Sequence, residues 1–137
     1  MAWRVAESLL HLREQINVAC PNRSKASDGT IGDTAHSARK SDHNPQPLDG
    51  AVGVVTAMDI TNDPDDGCDA DKIVNALVAS RDPRIKYIIW NRRIISSQTE
   101  PWVWRNYTGK NPHSKHFHLS VLPAKTHFDS KASWKIA

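Results

Sequence analysis

Apolar residues recur at three- and four-residue steps in two stretches of the chain, a spacing typical of amphipathic helices. The first stretch runs from Trp3 to about Val18 and ends before a proline, and we expect it to serve as scaffold. The second follows an acidic turn region, in which Asp69 or Asp71 can cap the helix, and Pro83 closes it. The pattern thus predicts one helix near the N-terminus and one in the middle of the chain.

Four further stretches have the patterns of β-strands. An apolar run from Val52 to Thr61 surrounds a single acidic residue, and residues 86–90 and 94–96 flank a turn. Nearer the C-terminus, three polar residues alternate with three apolar ones over residues 116–121, the period of a half-buried strand. We expect an α+β fold in which these strands form a small, mostly antiparallel sheet. Helices should cover one face of that sheet, and the functional site should lie in a groove on the other face.

A long polar segment, residues 21–53, separates the first helix from the first strand. A segment this long without periodicity is uncommon in a compact domain unless it is functional or disordered. Within it, residues 34–40 can form one or two helical turns that present His36 and Arg39. We expect residues 24–53 and the aromatic loop from Trp102 to Tyr107 to form the sides of the groove.

Composition limits the class of protein but does not indicate a function. The chain has 137 residues, of which 39% are hydrophobic and 24% charged, as expected for one globular domain with an N-terminal helix (residues 1–20) and a motif-bearing core (residues 36–121). A formal net charge of +3 suits a polyanionic partner such as a bacterial cell wall or a nucleic acid, and the excess is too small to choose between the two. No basic block indicates a nucleic-acid-binding arm. The two cysteines, Cys20 and Cys68, are too few for a four-cysteine zinc site, and the sequence leaves their pairing open.

We recognise no targeting signal in the N-terminal residues. The N-terminal residues lack the basic and apolar regions of a secretory leader, and no apolar run approaches the roughly 20 residues that span a bilayer. We therefore expect a product made in the cytoplasm without a membrane segment, so that any export uses another route. We expect a monomer and no nucleic-acid partner.

Two features indicate metal chemistry. Asp59 lies in the middle of an apolar strand, where a carboxylate is costly unless it is paired or bound to a metal ion. Three of the seven histidines lie within residues 113–118, and two of them share one face of the predicted strand. A catalytic zinc site needs three protein ligands, usually imidazole or carboxylate, and an open position. The candidate donors are His43, Asp59, His116 and His118, with His36 and His113 less central.

Three separated motifs resemble the hedgehog/D-Ala-D-Ala peptidase superfamily, also called LAS metallopeptidases. They are Ser-Asp-His at residues 41–43, Ala-Met-Asp at 57–59 and His-Ser-Lys-His-Phe-His at 113–118, and the resemblance covers roughly residues 36–121. It implies that zinc is held by His43, Asp59 and His118. It also implies that His116 acts in proton transfer or in stabilising the transition state, with His113 as a helper.

The same resemblance implies hydrolysis of a peptide bond in the peptidoglycan cross-link or stem peptide. A phage endolysin or a related lytic endopeptidase or carboxypeptidase is expected, acting at the cell wall after release. Arg39 or Arg93 can bind a substrate carboxylate in a bidentate fashion, although both also suit a plain surface role. Trp102 and Tyr107 are expected to line the groove, and Ser41 to orient a ligand by hydrogen bonding.

The sequence departs from the family in two places. The fifteen residues 44–58 between the first histidine and the aspartate form a longer insert than is usual, and Lys115 stands where many members carry an acidic general base. The main alternative is a catalytically inactive zinc-binding module of the same fold that binds cell wall or protein. A metal-dependent nuclease of the His-Asn-His type and a metal-free histidine cluster are weaker alternatives, and manganese, iron or cobalt would also suit these ligands.

Overall fold

The computed structural model describes residues 2–30 and 41–137, which form an α+β architecture of two sheets and three helices. None of the helices in these two ranges has the length and apolar character needed to cross a membrane. In chain order the elements are β1 (Trp3–Val5), α1 (Glu7–Ala19), β2 (Gln46–Asp49), β3 (Val52–Val55), β4 (Ala57–Thr61), a 3₁₀ turn (Pro64–Asp66), α2 (Ala70–Ser80), β5 (Ile85–Trp90), β6 (Arg93–Ser96), β7 (Arg105–Asn106), β8 (His116–Val121) and α3 (Lys125–Phe128).

The larger sheet has five strands in the order β4-β8-β5-β6-β7, and all of its neighbours are antiparallel. The predicted strands are confirmed as members of this sheet, with one correction. The apolar run at residues 52–61 is two strands, because the chain leaves one sheet and enters the other at Thr56. The amide of Thr56 donates to the carbonyl of Asp42, and its carbonyl accepts from the amide of Val121.

The smaller sheet, in the order β1-β3-β2, was not predicted. Its first strand corrects the predicted start of the N-terminal helix, since Trp3–Val5 is extended and pairs in parallel with β3. Arg4 holds this strand in place through ion pairs to Asp49 and Asp129, at 3.0 and 2.6 Å. The helix begins only at Glu7. Three residues of strand are too few to interrupt a 3.6-residue pattern, so the sequence favoured one continuous helix.

The hydrophobic core lies between the helices and one face of the five-stranded sheet. Helix α1 contributes Leu9, Leu12 and Ile16, and helix α2 begins at the predicted cap, where the Asp69 side chain accepts from the amide of Asp71. The strand residues in this core include Met58 and Ile60 of β4, Ile88 and Trp90 of β5, and Phe117, Leu119 and Val121 of β8. Because strand side chains alternate between faces, the residues between these point the other way. That second face carries the candidate site.

Candidate metal centre

The pairing of β4 with β8 brings the carboxylate and two of the histidines together. Asp59 lies directly opposite His118 in the register, and Thr61 lies opposite His116. Side chains opposite each other in an antiparallel pair are close neighbours on the same face. The Oδ1 atom of Asp59 is 3.2 Å from His118 Nδ1, and its Oδ2 atom is 3.7 Å from His116 Nε2.

The third member, His43, comes from the segment that precedes β2. Its Nε2 atom is 3.1 Å from His118 Nδ1 and 3.4 Å from Asp59 Oδ1. Its Nδ1 atom is 2.6 Å from the carbonyl oxygen of Thr30, so Nδ1–H donates there and Nε2 is left facing the cluster. Thr30 is fixed in turn, because the preceding Gly29 exchanges backbone hydrogen bonds with Asp59.

Ser41 lies where the sequence predicted a supporting residue. Its hydroxyl accepts a hydrogen bond from the backbone amide of His43, at 3.2 Å. The contact is to the main chain and not to the imidazole. Ser41 therefore fixes the backbone turn from which His43 projects.

Donor atoms of His43, Asp59 and His118 all lie within 4.8 Å of one another, so this cluster could hold a metal ion. Burial of the Asp59 carboxyl disfavours its ionised form, but hydrogen bonds and charges from His118 and His43 outweigh this and hold its pKa below the usual value. Burial lowers the pKa of His118, which favours the neutral imidazole. Burial also opposes protonation of His43, but Asp59 outweighs it and raises the pKa of that histidine.

The far side of His118 is held by a polar chain that sequence reasoning missed. His118 Nε2 is 2.8 Å from the hydroxyl of Ser120, and this hydroxyl also bonds the carboxylate of Asp42. Asp42 is paired with Lys86 at 2.9 Å. The ring of Tyr87 stacks on His118 with centroids 5.2 Å apart, and burial raises the pKa of this tyrosine to about 12.

Two of these residues had a signal in the sequence. Ser120 lies two residues after His118 on the same strand face, and Asp42 lies inside the first motif. Lys86 and Tyr87 had none, because only the pairing of β5 with β8 brings them beside the cluster.

His113 and His116 form the other half of the cluster. His113 is buried, its Nδ1 is 2.8 Å from the carbonyl oxygen of Asn111, and its φ of +53° turns the chain toward the site. Burial, together with the nearby His118 and His116, lowers the pKa of His113 to about 4. Both ring nitrogens of His116 are buried, and neither has a hydrogen-bond partner within the described ranges. The donor atoms of Asp59, His113 and His116 also lie within 4.8 Å of one another.

The predicted substrate-binding residues separate into three cases. Tyr107 reaches the cluster, with its ring centroid 5.6 Å from that of His113. Gly109 packs directly against the Tyr107 ring, where an added Cβ would overlap it. Arg39, like His36, lies outside the described residues.

Arg93 and Trp102, the other two residues predicted to bind substrate, have their described contacts away from the cluster. Arg93 is opposite the buried Trp90 in the register, so it is on the helix-covered face, where its guanidinium lies over the Trp104 ring at 4.8 Å. Trp102 packs against the hydrophobic core beneath the guanidinium of Arg81, at 5.0 Å. In both cases strand and loop geometry decide the direction of the side chain, which the local sequence does not reveal.

No protein-family model matches the chain, and comparisons with curated proteins and with solved structures found no match. The resemblance drawn from the three motifs therefore depends on the motifs alone. Chemically, the arrangement offers a carboxylate and two imidazoles around one point, with two further buried imidazoles beside it.

Proposed function

We propose that the chain is a zinc-dependent peptidase that hydrolyses a peptide bond in peptidoglycan, with zinc held by His43, Asp59 and His118. One observation carries the proposal. These three residues are far apart in the sequence, yet the fold brings their donor atoms within 4.8 Å of one another at the positions that the three motifs imply. The expected hedgehog/D-Ala-D-Ala peptidase-like fold belongs to the same proposal.

The residues fit the chemistry of a catalytic zinc site. Two imidazoles and one carboxylate are a usual ligand set, and a three-ligand site leaves a position open. Histidine ligands in such sites donate their other ring N–H to an oxygen, which fixes the tautomer. His43 does this with the Thr30 carbonyl, and His118 does it with the Ser120 hydroxyl.

Zinc bound by these residues would act as a Lewis acid and lower the pKa of bound water toward about 7. The chain's own residues supply the rest. His116 would take up a proton and return it to the leaving amine, a role supported by its buried ring nitrogens, which have no protein hydrogen-bond partner in the described ranges. His113, with a pKa of about 4, is neutral at pH 7 and can accept a hydrogen bond from the substrate at Nε2 without adding charge. Tyr107 packs against His113 and borders the cluster.

The substrate class comes from the resemblance of the motifs, and the net charge of +3 suits a polyanionic wall. Within this class, a lytic enzyme of the phage type acting at the cell wall is the proposed setting. The bond cleaved would be an amide of the cross-link or stem peptide.

The test is hydrolysis of purified peptidoglycan, followed by the loss of turbidity and the release of new amino termini. Wild type should be active, lose activity with a chelator and regain it with zinc. His118→Ala should reduce activity at least about 100-fold, because removal of a ligand or catalytic group typically costs several kcal/mol. His11→Ala, which removes a histidine on α1, is the matched control and should behave as wild type. Hydrolysis that persists in chelator would refute the proposal.

A non-hydrolytic zinc-binding module that binds cell wall or protein is the second candidate, and one observation favours it. Asp59 is the only carboxylate in the two donor groups found among the described residues, and Lys115 at the usual position of the acidic base is exposed. The backbone carbonyl of Lys115 accepts a hydrogen bond from the backbone amide of Asn62, so the contact that Lys115 makes here is through its main chain. Protein that contains stoichiometric zinc and sediments with the wall, yet releases no amino termini, would establish this module.

A further inference from the structure

The two oxygens of the Asp59 carboxylate face different imidazoles. Oδ1 lies 3.2 Å from His118 Nδ1 and 3.4 Å from His43 Nε2, whereas Oδ2 lies 3.7 Å from His116 Nε2. The ring of His113 completes the second side, with its centroid 4.9 Å from that of His116. Asp59 therefore belongs to two donor groups at once, one on each of its oxygens.

The second group has donor atoms free to bind. The Nδ1 atom of His113 is occupied by the carbonyl of Asn111, at 2.8 Å, which leaves the lone pair of its Nε2 available. Both nitrogens of His116 are buried and lack a hydrogen-bond partner in residues 2–30 and 41–137. A buried polar atom without a partner is unfavourable, so the site gains from any ligand that satisfies one. Donors from Asp59, His113 and His116 lie within the 4.8 Å expected around a single cation.

We propose that Asp59, His113 and His116 form a second divalent-cation site, with the Asp59 carboxylate bridging it to the first. Carboxylate-bridged pairs of ions are common in hydrolases, where the ions are about 3.5–4 Å apart. The second site is the weaker of the two, because it shares its single negative charge with an ion already bound. Its regulatory consequence rests on the proposed function: an ion on His116 removes the proton acceptor, so excess zinc inhibits hydrolysis.

The test begins with binding and does not depend on activity. Metal-free protein is titrated with Co²⁺, following its visible absorption and, by equilibrium dialysis, the number of ions bound. Wild type is expected to bind two ions in two phases at least about tenfold apart in affinity. His113→Ala and His116→Gln should each lose only the weaker phase, and His127→Ala, which removes a histidine on α3, should keep both. Circular dichroism verifies the fold of each variant, and having two variants keeps the test valid if one fails to fold.

Each outcome has a defined meaning. Binding that saturates at one ion per chain, or a weaker phase that survives both variants, overturns the second site and leaves the proposed function untouched. Two bound ions without wall hydrolysis support the second site and count against the peptidase. If hydrolysis is present, adding Zn²⁺ should reduce its rate at least tenfold over the concentration range in which the second site fills. An unchanged rate across that range overturns the inhibitory role.

Discussion

Replacing Ser120 by alanine tests whether the polar chain behind His118 positions a metal ligand. When His118 binds a metal ion through Nδ1, its remaining proton is on Nε2, and the Ser120 hydroxyl at 2.8 Å is the acceptor. Ser120 is completely buried, so water cannot replace the lost oxygen without rearrangement of the strand. Asp42 loses one donor in this variant but keeps Lys86 at 2.9 Å and Gln46 at 3.1 Å. The main consequence therefore falls on the imidazole.

The expected magnitude follows from that single lost contact. Leaving a buried N–H without an acceptor costs about 1–3 kcal/mol, and each 1.4 kcal/mol is about tenfold in a dissociation constant. We therefore expect Ser120→Ala to weaken metal binding by about 10–100-fold, the range typical for loss of an outer hydrogen bond to a metal ligand. The metal-free protein should melt only a few degrees lower, because a loss of about 1 kcal/mol corresponds to that shift in a chain of this size.

The assay is competition for zinc with a chromophoric chelator, paired with thermal melting of the metal-free protein. Ser96→Ala is the matched control: it removes another buried serine of the same sheet, whose hydroxyl accepts from the amides of Gln98 and Thr99. It should lower the melting temperature and leave the zinc dissociation constant unchanged. A Ser120→Ala protein that binds zinc as tightly as wild type would show that the chain from Ser120 to Asp42 does not position the ligand.

Three further predictions concern a buried ion pair, a buried thiol and the two aromatic residues Trp102 and Tyr107. Asp28→Asn should reduce the free energy of unfolding by about 3 kcal/mol, because the fully buried Arg23 guanidinium loses the carboxylate that it binds at 2.7 Å. Burial opposes ionisation of Asp28, but Arg23 and the hydrogen bonds from Thr61 together outweigh it and hold the pKa of Asp28 below its unfolded value. The stabilisation is therefore present above about pH 4 and lost as the pH falls, and urea unfolding of the variant should show a weaker acid dependence. Burial and the neighbouring thiol raise the pKa of Cys68 to about 11, so its alkylation by iodoacetamide at pH 8 should be about 100-fold slower in the folded chain than in denaturant. Trp102→Ala should lower stability by about 2 kcal/mol without changing hydrolysis per folded molecule, whereas Tyr107→Ala should lower kcat/KM on peptidoglycan fragments.

Each of these has a control and an outcome that would contradict it. The exposed Asp65→Asn should leave the urea midpoint unchanged, and equal losses in both aspartate variants would refute the buried ion pair. The alkylation is measured on the wild-type chain, which keeps the neighbouring thiol, and peptide mass spectrometry reports the labelling of Cys68 alone. Rapid labelling of Cys68 in the folded chain would show that it is not shielded. A fully folded Trp102→Ala protein that loses activity would show that Trp102 lines the groove after all.

The predicted strands were recoverable from sequence because period-2 alternation is imposed by the strand itself. The alternation at residues 116–121 put His116 and His118 on one face, and the structure has them there on β8. The N-terminal strand β1 was not recoverable, because its stability comes from pairing with β3 and from the ion pairs of Arg4 with distant carboxylates. A short strand has no local pattern strong enough to oppose a neighbouring helix.

The site shows the same division. The sequence alone made Asp59 and the histidines of residues 113–118 candidate metal ligands, because a carboxylate in an apolar strand is costly unless it is paired or bound to a metal ion. Only the tertiary structure decided which of them meet: the β4–β8 register, the carbonyl of Thr30 behind His43 and the hydroxyl of Ser120 behind His118. The tertiary structure also decided that Arg93 lies on the face of the sheet opposite the cluster, because a shift of one residue in the strand register reverses the direction of a side chain. The ability of a side chain to bind a metal ion is a property of that residue type. Whether several such side chains can share one ion depends on distances between segments, which only the folded backbone sets.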